Sequence, residues 1–292
     1  MKAFERYNPI VITVYFLSAS LILMFSQNPI LLLEGFCGAT AYSLARGKGR
    51  SVKAYAFYLA LFIILSLVNP LFSHKGETVL FVMNDSPITL EALVYGMISA
   101  GLIITVLLIF GIFTDIMTRD KLLYVFGKLS PKLALILSMG LRYIPLLRDR
   151  GKRIGESQRA LGLYKDDNIF DKIKSDLRVF SILITWALEN GITTADSMSA
   201  RGYGKKKRSY YSLFGFGKSD VAVLILTILC TALTVVGMAF GSLDFIFYPS
   251  FMWAELTPLG VAAYTAYGVM ISLPTILETE ERIKWKYLQS RL

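Results

Sequence analysis

Histidine is almost absent from this chain, with His74 its only copy, and cysteine occurs twice, at Cys37 and Cys230. A single imidazole rules out chemistry built on paired histidines. Each cysteine stands inside its own apolar run. Neither forms a metal-ligand spacing or a disulfide framework, and both read as packing residues at lipid level. No paired carboxylates and no nucleophile–base set accompany them, so no catalytic residue, cofactor or metal is expected. Gly217-Lys218-Ser219 ends like a phosphate-binding loop, yet that motif needs glycine five positions earlier, where Ser212 stands. Charge is thin as well. Asp, Glu, Lys and Arg make up 18% of the residues, against about a quarter in soluble domains. The first apolar run, from Pro9 to Phe25, passes into a second without a small-residue cleavage site, so no cleavable leader is expected.

What the chain has instead is apolar length. Of its 292 residues, 54% are hydrophobic, and the mean hydropathy is +0.54. Spanning a bilayer as helix takes roughly 20 apolar residues. Six runs qualify, at 10–27, 28–45, 54–72, 88–113, 220–240 and 256–277, the first two parted only by Gln27-Asn28-Pro29. The basic residues set the orientation. Thr114 to Ser219 holds 20 Lys and Arg against 10 Asp and Glu, whereas the rest of the chain holds 11 of each. Arg46, Lys48, Arg50 and Lys53 crowd the loop after the second run. The loop from Ser73 to Pro87 has Lys75 with Glu77 and Asp85, and Gly241 to Glu255 has neither Lys nor Arg. Positive residues stay on the cytoplasmic side. The expectation is a multi-pass cell-membrane protein with both termini inside. Membrane regions at 1–113 and 220–292 flank a cytoplasmic region at 114–219. No nucleic-acid partner is expected, and Lys205-Lys206-Lys207-Arg208 reads as an anchor to lipid headgroups. Glu34 is the clearest carboxylate at membrane depth.

The central region is helical. Ser130 serves as N-cap and Pro131 as first helical residue. Apolar positions then recur at Leu133, Ile136, Leu137, Gly140, Ile144, Leu147, Gly151 and Ile154, with Ser138, Arg142, Asp149, Arg153 and Glu156 opposite. Gly162 stops this helix, and Pro145 is expected to bend it. At 1.5 Å per residue its length is roughly 45 Å. Asp166, Asp167 and Asn168 offer caps for a second long helix. Its inner face is expected at Ile173, Leu177, Phe180, Ile184, Ala187, Gly191, Ala195 and Met198, with Gly191 a possible break. That helix reaches Arg201 and stops at Gly202.

The second helix ends in Ala195-Asp196-Ser197-Met198-Ser199-Ala200-Arg201-Gly202-Tyr203-Gly204. This resembles the Ala-Arg-Gly signature of the transmembrane (T) component of energy-coupling factor transporters, the cobalt-permease Q-type family. Asn69-Pro70-Leu71-Phe72-Ser73-His74-Lys75-Gly76, Ser86-Pro87-Ile88-Thr89-Leu90-Glu91-Ala92, Asp120-Lys121-Leu122-Leu123-Tyr124 and Leu137 to Pro145 resemble further family segments in the expected order. The resemblance implies an all-α membrane protein of about six spans with two long amphipathic cytoplasmic coupling helices. It implies two ATP-binding cassette ATPase subunits and one or more small substrate-binding membrane (S) subunits as partners, with ATP hydrolysed in those separate subunits. ATPase docking falls to Ala200, Arg201 and Gly202. At the first helix end it falls to Arg159, Ala160 and Gly162, where Leu161 replaces the family's arginine. Contact with the substrate-binding subunit falls to Leu133, Leu137 and Ile144 on one helix and to Leu177, Ile184 and Leu188 on the other. An arginine fork at a helix end suits partner carboxylates, although a cation there also complements the helix dipole. The rival reading is a self-sufficient secondary transporter, which usually shows several intramembrane charges and repeat halves.

Overall fold

In the computed structural model, residues 4–47, 52–72, 76–83, 86–164, 168–203, 214–249, 251–253, 255 and 257–290 are described. They form an all-α membrane protein. The helices are α1 (Pro9–Phe25), α2 (Pro29–Ala45), α3 (Val52–Phe72), α4 (Leu90–Ile116), α5 (Arg119–Leu129), α6 (Pro131–Ala160), α7 (Ile169–Ala200), α8 (Lys218–Ala239) and α9 (Pro258–Gln289). Two short antiparallel hairpins join them, β1 (Val79–Met83) with β2 (Ser86–Thr89) and β3 (Phe245–Ile246) with β4 (Met252–Trp253). The chain divides into two compact units, one of residues 1–121 with 214–292 and one of 122–213.

In the first unit, α4, α8 and α9 are long and apolar enough to cross a bilayer, and three shorter apolar helices lie at Pro9–Phe25, Pro29–Ala45 and Ala56–Phe72. Asparagine-proline pairs start the first two. The Asn8 and Asn28 side chains accept from the N–H groups of Ile10 and Ile30 at 3.0 and 2.8 Å, and each following proline fills a helix position that needs no donor. Asn28 also donates to the carbonyl of Leu243 at 2.9 Å and to the Tyr264 hydroxyl at 2.6 Å, fixing the turn between α1 and α2 to the α8–α9 connection. Helices approach closely where glycine faces a neighbour. A Cβ on Gly96 would lie 2.6 Å from the Ser66 carbonyl, and one on Gly237 would lie 2.6 Å from Ala263. Tyr267, Phe4, Ile12 and Leu23 are among the largest buried side chains, whereas Phe57, Ile64, Leu229 and Phe240 point outward, as lipid-facing residues do.

The two ends of this unit differ in chemistry. At one end the buried Arg46 reaches Glu5 at 2.6 Å and Asp115 at 3.4 Å, Lys121 donates to the Glu5 carbonyl at 2.6 Å, and Arg6 pairs with Glu281 at 2.9 Å. The N-terminal segment and the ends of α2, α4 and α9 therefore share that end. So does the start of α8, because Asp220 accepts from the Asn8 N–H at 2.9 Å. The other end carries both hairpins and an aromatic cluster, with Phe245 4.6 Å from the rings of Phe247 and Trp253 and Tyr95 5.1 Å from Phe247.

Several elements depart from the sequence reading. The stretch expected as a plain loop holds the β1–β2 hairpin, whose first strand is a run of β-favouring residues, Val79-Leu80-Phe81-Val82-Met83. α5 is a separate helix, and α9 continues past the expected end at 277 to Gln289. α7 is unbroken through Gly191. Ser130 and Asn168 occupy their N-cap positions without a side-chain cap bond. The alternative caps Asp166 and Asp167 lie outside the described residues, as do His74, Lys48, Arg50, Gly204 and the run Lys205 to Arg208.

The second unit is built on the antiparallel pair α6–α7. The Tyr143 and Thr194 hydroxyls share a hydrogen bond of 3.1 Å, Gly151 faces Leu183, the Arg150 guanidinium lies 5.2 Å over the Trp186 ring, and Tyr164 donates to Asp176 at 2.6 Å. The face of α7 turned toward α6 thus runs through Leu183, Trp186 and Thr194. The stripe expected to be inner, Ile173, Leu177, Phe180 and Ile184, is exposed. At 100° per residue it is rotated by roughly 100° from the packed face. Hydrophobic periodicity marks a face that avoids water, and on α7 that face is not the one that meets α6.

Candidate functional site

Each helix end singled out by the sequence is capped by a glycine in the left-handed conformation. On α7, Arg201 is the C-cap and Gly202 follows with φ +74°. The Gly202 N–H donates to the Ser199 carbonyl at 3.0 Å and the Tyr203 N–H to the Met198 carbonyl at 3.1 Å. On α6, Leu161 is the C-cap and Gly162 follows with φ +68°. Here the Gly162 N–H donates to the Arg159 carbonyl and the Leu163 N–H to the Gln158 carbonyl, both at 3.0 Å. This crossed pair of bonds satisfies carbonyls the helix would otherwise leave open, and it needs a residue that tolerates positive φ. Among the described residues, a Cβ on either glycine would meet nothing within 4 Å.

The two caps correspond residue for residue. Ala160-Leu161-Gly162 occupies on α6 the positions that Ala200-Arg201-Gly202 occupies on α7. Arg201 is exposed and makes no ion pair or side-chain hydrogen bond with a described residue. Arg159 precedes the cap residue by two positions, which on a helix is roughly 200° around the axis. Its guanidinium lies 4.6 Å over the Tyr164 ring. Because α6 and α7 are antiparallel, with Tyr164 beside Asp176, the tips lie at opposite ends of the pair. Counted along α7 from Asp176 to Gly202, they are roughly 40 Å apart.

The six apolar positions are all exposed: Leu133, Leu137 and Ile144 on α6, and Leu177, Ile184 and Leu188 on α7. No residue of α6 is buried, and on α7 only Ser175 is. Contiguous apolar exposure of this kind marks a surface that meets a protein or a membrane. In the first unit, Glu34 faces α9 at Gly268, and its Oε2 is enclosed without a hydrogen-bond partner among the described residues. Sequence reasoning missed the Arg46–Glu5–Asp115 network. Arg46 reads in sequence as one of four loop cations, and only the fold brings Glu5 and Asp115 to it. Among the described residues, no group of three His, Cys, Asp or Glu side chains is placed to hold a metal ion.

Comparison with known proteins gives this arrangement its relatives. The cobalt transport protein family (CbiQ) matches residues 3–211. An energy-coupling factor transporter transmembrane protein EcfT of Streptococcus equi subsp. equi is 31% identical over 100 residues, covering 34% of this chain and 37% of that protein. One from Bacillus selenitireducens is 25% identical over 187 residues, covering 60% of this chain and 70% of its own. An uncharacterized MG181 homolog of Mycoplasma pneumoniae is 34% identical over 113 residues, covering 37% and 26%. The chain thus spans between about a third and two fifths of the Streptococcus protein, and more of the Bacillus one. The family match covers well over half of the chain and takes in both capped helices, so this protein is a member of the cobalt transport protein family.

Proposed function

We propose that this chain is the transmembrane coupling subunit of an energy-coupling factor importer for vitamins or other micronutrients. It sits in the cell membrane with both termini in the cytoplasm, as membrane regions at 1–113 and 220–292 around a coupling region at 114–219. It has no catalytic site. Two ATP-binding cassette subunits hydrolyse ATP, and a small substrate-binding membrane subunit supplies specificity. The observation that carries this reading is Ala200-Arg201-Gly202 at an exposed, glycine-capped helix end, with a matching cap on the neighbouring helix roughly 40 Å away. That spacing suits one ATPase at each tip. Ala200 is small enough to let the tip enter a groove, Arg201 offers a planar fork to carboxylates, and Gly202 turns the chain away.

ATP binding draws the two ATPases together, the tips move with them, and α6 and α7 carry that displacement to the membrane. A rigid helix of about 30 residues turns a small tilt at one end into several ångströms at the other. Leu133, Leu137 and Ile144 with Leu177, Ile184 and Leu188 form the face for the substrate-binding subunit. Ala160 and Gly162 dock the second ATPase. Arg159 serves that tip only if it leaves Tyr164.

The test is Arg201→Glu. Loss of ATPase copurification and of uptake, with the chain still inserted, is the expected result; unchanged binding and uptake would refute the docking role. Adding Arg159→Glu deepens the defect if both tips dock through arginine, and adds nothing if Arg159 only braces Tyr164. Reconstitution of this chain alone separates the reading from a self-sufficient carrier, which moves solute without ATPases.

A further inference from the structure

The connection between α8 and α9 folds into a ribbon whose two faces are both apolar. β3 and β4 pair Phe245 with Trp253 and Ile246 with Met252. Side chains alternate across a strand, so the first pair stands on one face and the second on the other. The first face is aromatic throughout. The Phe245 ring lies 4.6 Å from those of Phe247 and Trp253, and it stacks with Phe251 at 6.3 Å. Phe247 is buried, but Ile246, Met252 and Trp253 are each more than half exposed, and Phe251 more than a third. An antiparallel ribbon beside water commonly keeps one face polar, whereas none of these four paired residues is polar. The neighbours fix its height. Phe247 and Tyr248 pack on Tyr95, with ring centroids 5.1 and 5.7 Å apart. Tyr95 belongs to the second turn of α4, about 8 Å along the helix from its start at Leu90. Just ahead of β3, the Leu243 carbonyl accepts from Asn28 at the start of α2. The ribbon therefore lies level with the first turns of these helices and does not stand out beyond them.

We propose that the β3–β4 ribbon is embedded in lipid, with Ile246, Phe251, Met252 and Trp253 at the boundary between headgroups and acyl chains. Tryptophan and its aromatic neighbours favour that layer. The surface is continuous with the lipid-facing side of α8, whose outward Leu229 and Phe240 lead straight into it. Two exposed carboxylates, Asp244 and Glu255, bracket the ribbon, and Gly241 to Glu255 holds neither Lys nor Arg. Apolar contact alone holds such a ribbon in place, without attraction to anionic headgroups. It keeps the α8–α9 connection at a set depth in the bilayer.

Trp253 can report on its own surroundings, since Trp186 and Trp285 are the other tryptophans of the chain. Full-length Trp186→Phe/Trp285→Phe protein is placed in phosphatidylcholine nanodiscs whose acyl chains carry bromine. Bromines near the headgroup end should lower its emission about twofold. Bromines near the chain ends should quench less, and iodide in the water should quench weakly. Should the double variant fail to fold, the quenching lost between the unaltered protein and Trp253→Phe measures the same contact. Adding phosphatidylglycerol should change nothing, because the ribbon offers no cation to it. Strong quenching by iodide with little by brominated lipid would put the ribbon in water and overturn the proposal. Protection from both quenchers would overturn it in favour of a covering protein, such as a second copy of this chain. Equal quenching from the two bromine depths, or quenching that requires the anionic lipid, would overturn it as well.

Discussion

Arg46 joins three parts of the membrane unit that are distant in sequence. Its Nε and Nη2 both reach Glu5 Oε1, at 3.0 and 2.6 Å, while Nη1 reaches Asp115 at 3.4 Å. The Arg46 side chain is 2% exposed and its partners 22% and 51%. Removing the cation takes away both of its bonds to Glu5 Oε1, while Asp115 turns to water at little cost. Arg46→Ala is expected to destabilise the membrane unit by about 2 kcal/mol, below the range for fully buried pairs because the partners are partly solvated. Arg46→Lys should recover only part of this, since an ammonium cannot span two carboxylates as the guanidinium fork does. Thermal unfolding in detergent or nanodiscs measures both, and an unchanged midpoint for Arg46→Ala would dismiss the network as a stabilising element. At this scale the sequence was uneven as a guide. The Ala200-Arg201-Gly202 cap is local, so three adjacent letters display it. The Arg46 pairings join residues 41 and 69 positions apart, and no pattern of neighbours encodes them.

Helices α6 and α7 show where reading by periodicity stops. Their lengths, starts and glycine stops follow from local chemistry: Pro131 at a first helical position, Gly162 and Gly202 at positive φ. Their packing does not. α7 meets α6 through Leu183, the Trp186 ring and the Thr194 hydroxyl, a mixed stripe that carries little hydrophobic signal. The strong apolar stripe remains uncovered. Exposed apolar surface of this kind marks a place where a protein or a membrane is met. Ile184→Asp or Leu137→Asp should therefore leave the thermal stability of the isolated chain nearly unchanged, because each side chain is already substantially exposed, at 43% and 36%. In the assembled complex the same changes should release the substrate-binding subunit while the ATPases stay bound. Loss of the ATPases first, in copurification at graded detergent, would refute the assignment.

For the molecule as a whole, the apolar helices were the most legible feature, because apolar length acts along the chain rather than across it. Glu5, Arg46, Asp115, Asp220 and Glu281 come together at one end through direct hydrogen bonds and ion pairs, the Asn8 N–H linking Asp220 to the N-terminal segment. Successive apolar helices of this unit therefore alternate in direction, with the β1–β2 and β3–β4 hairpins at the far end. The short 17-residue helices α1 and α2 are about 25 Å long, a little less than the hydrocarbon thickness. A helix of that length crosses only with local thinning of the bilayer or with its flanking residues completing the span. Single cysteines can read this arrangement directly. The native thiols are poor targets for a membrane-impermeant maleimide, Cys230 being buried and Cys37 exposed only within an apolar helix. In a background with both replaced by serine, Glu77→Cys, just before the first hairpin, should react in intact cells. Ser290→Cys, one residue past α9, should react only after the membrane is opened. Labelling of both from the same side would break the six-span alternation. It would also take the coupling helices out of the compartment where ATP is found, and the proposed mechanism with them.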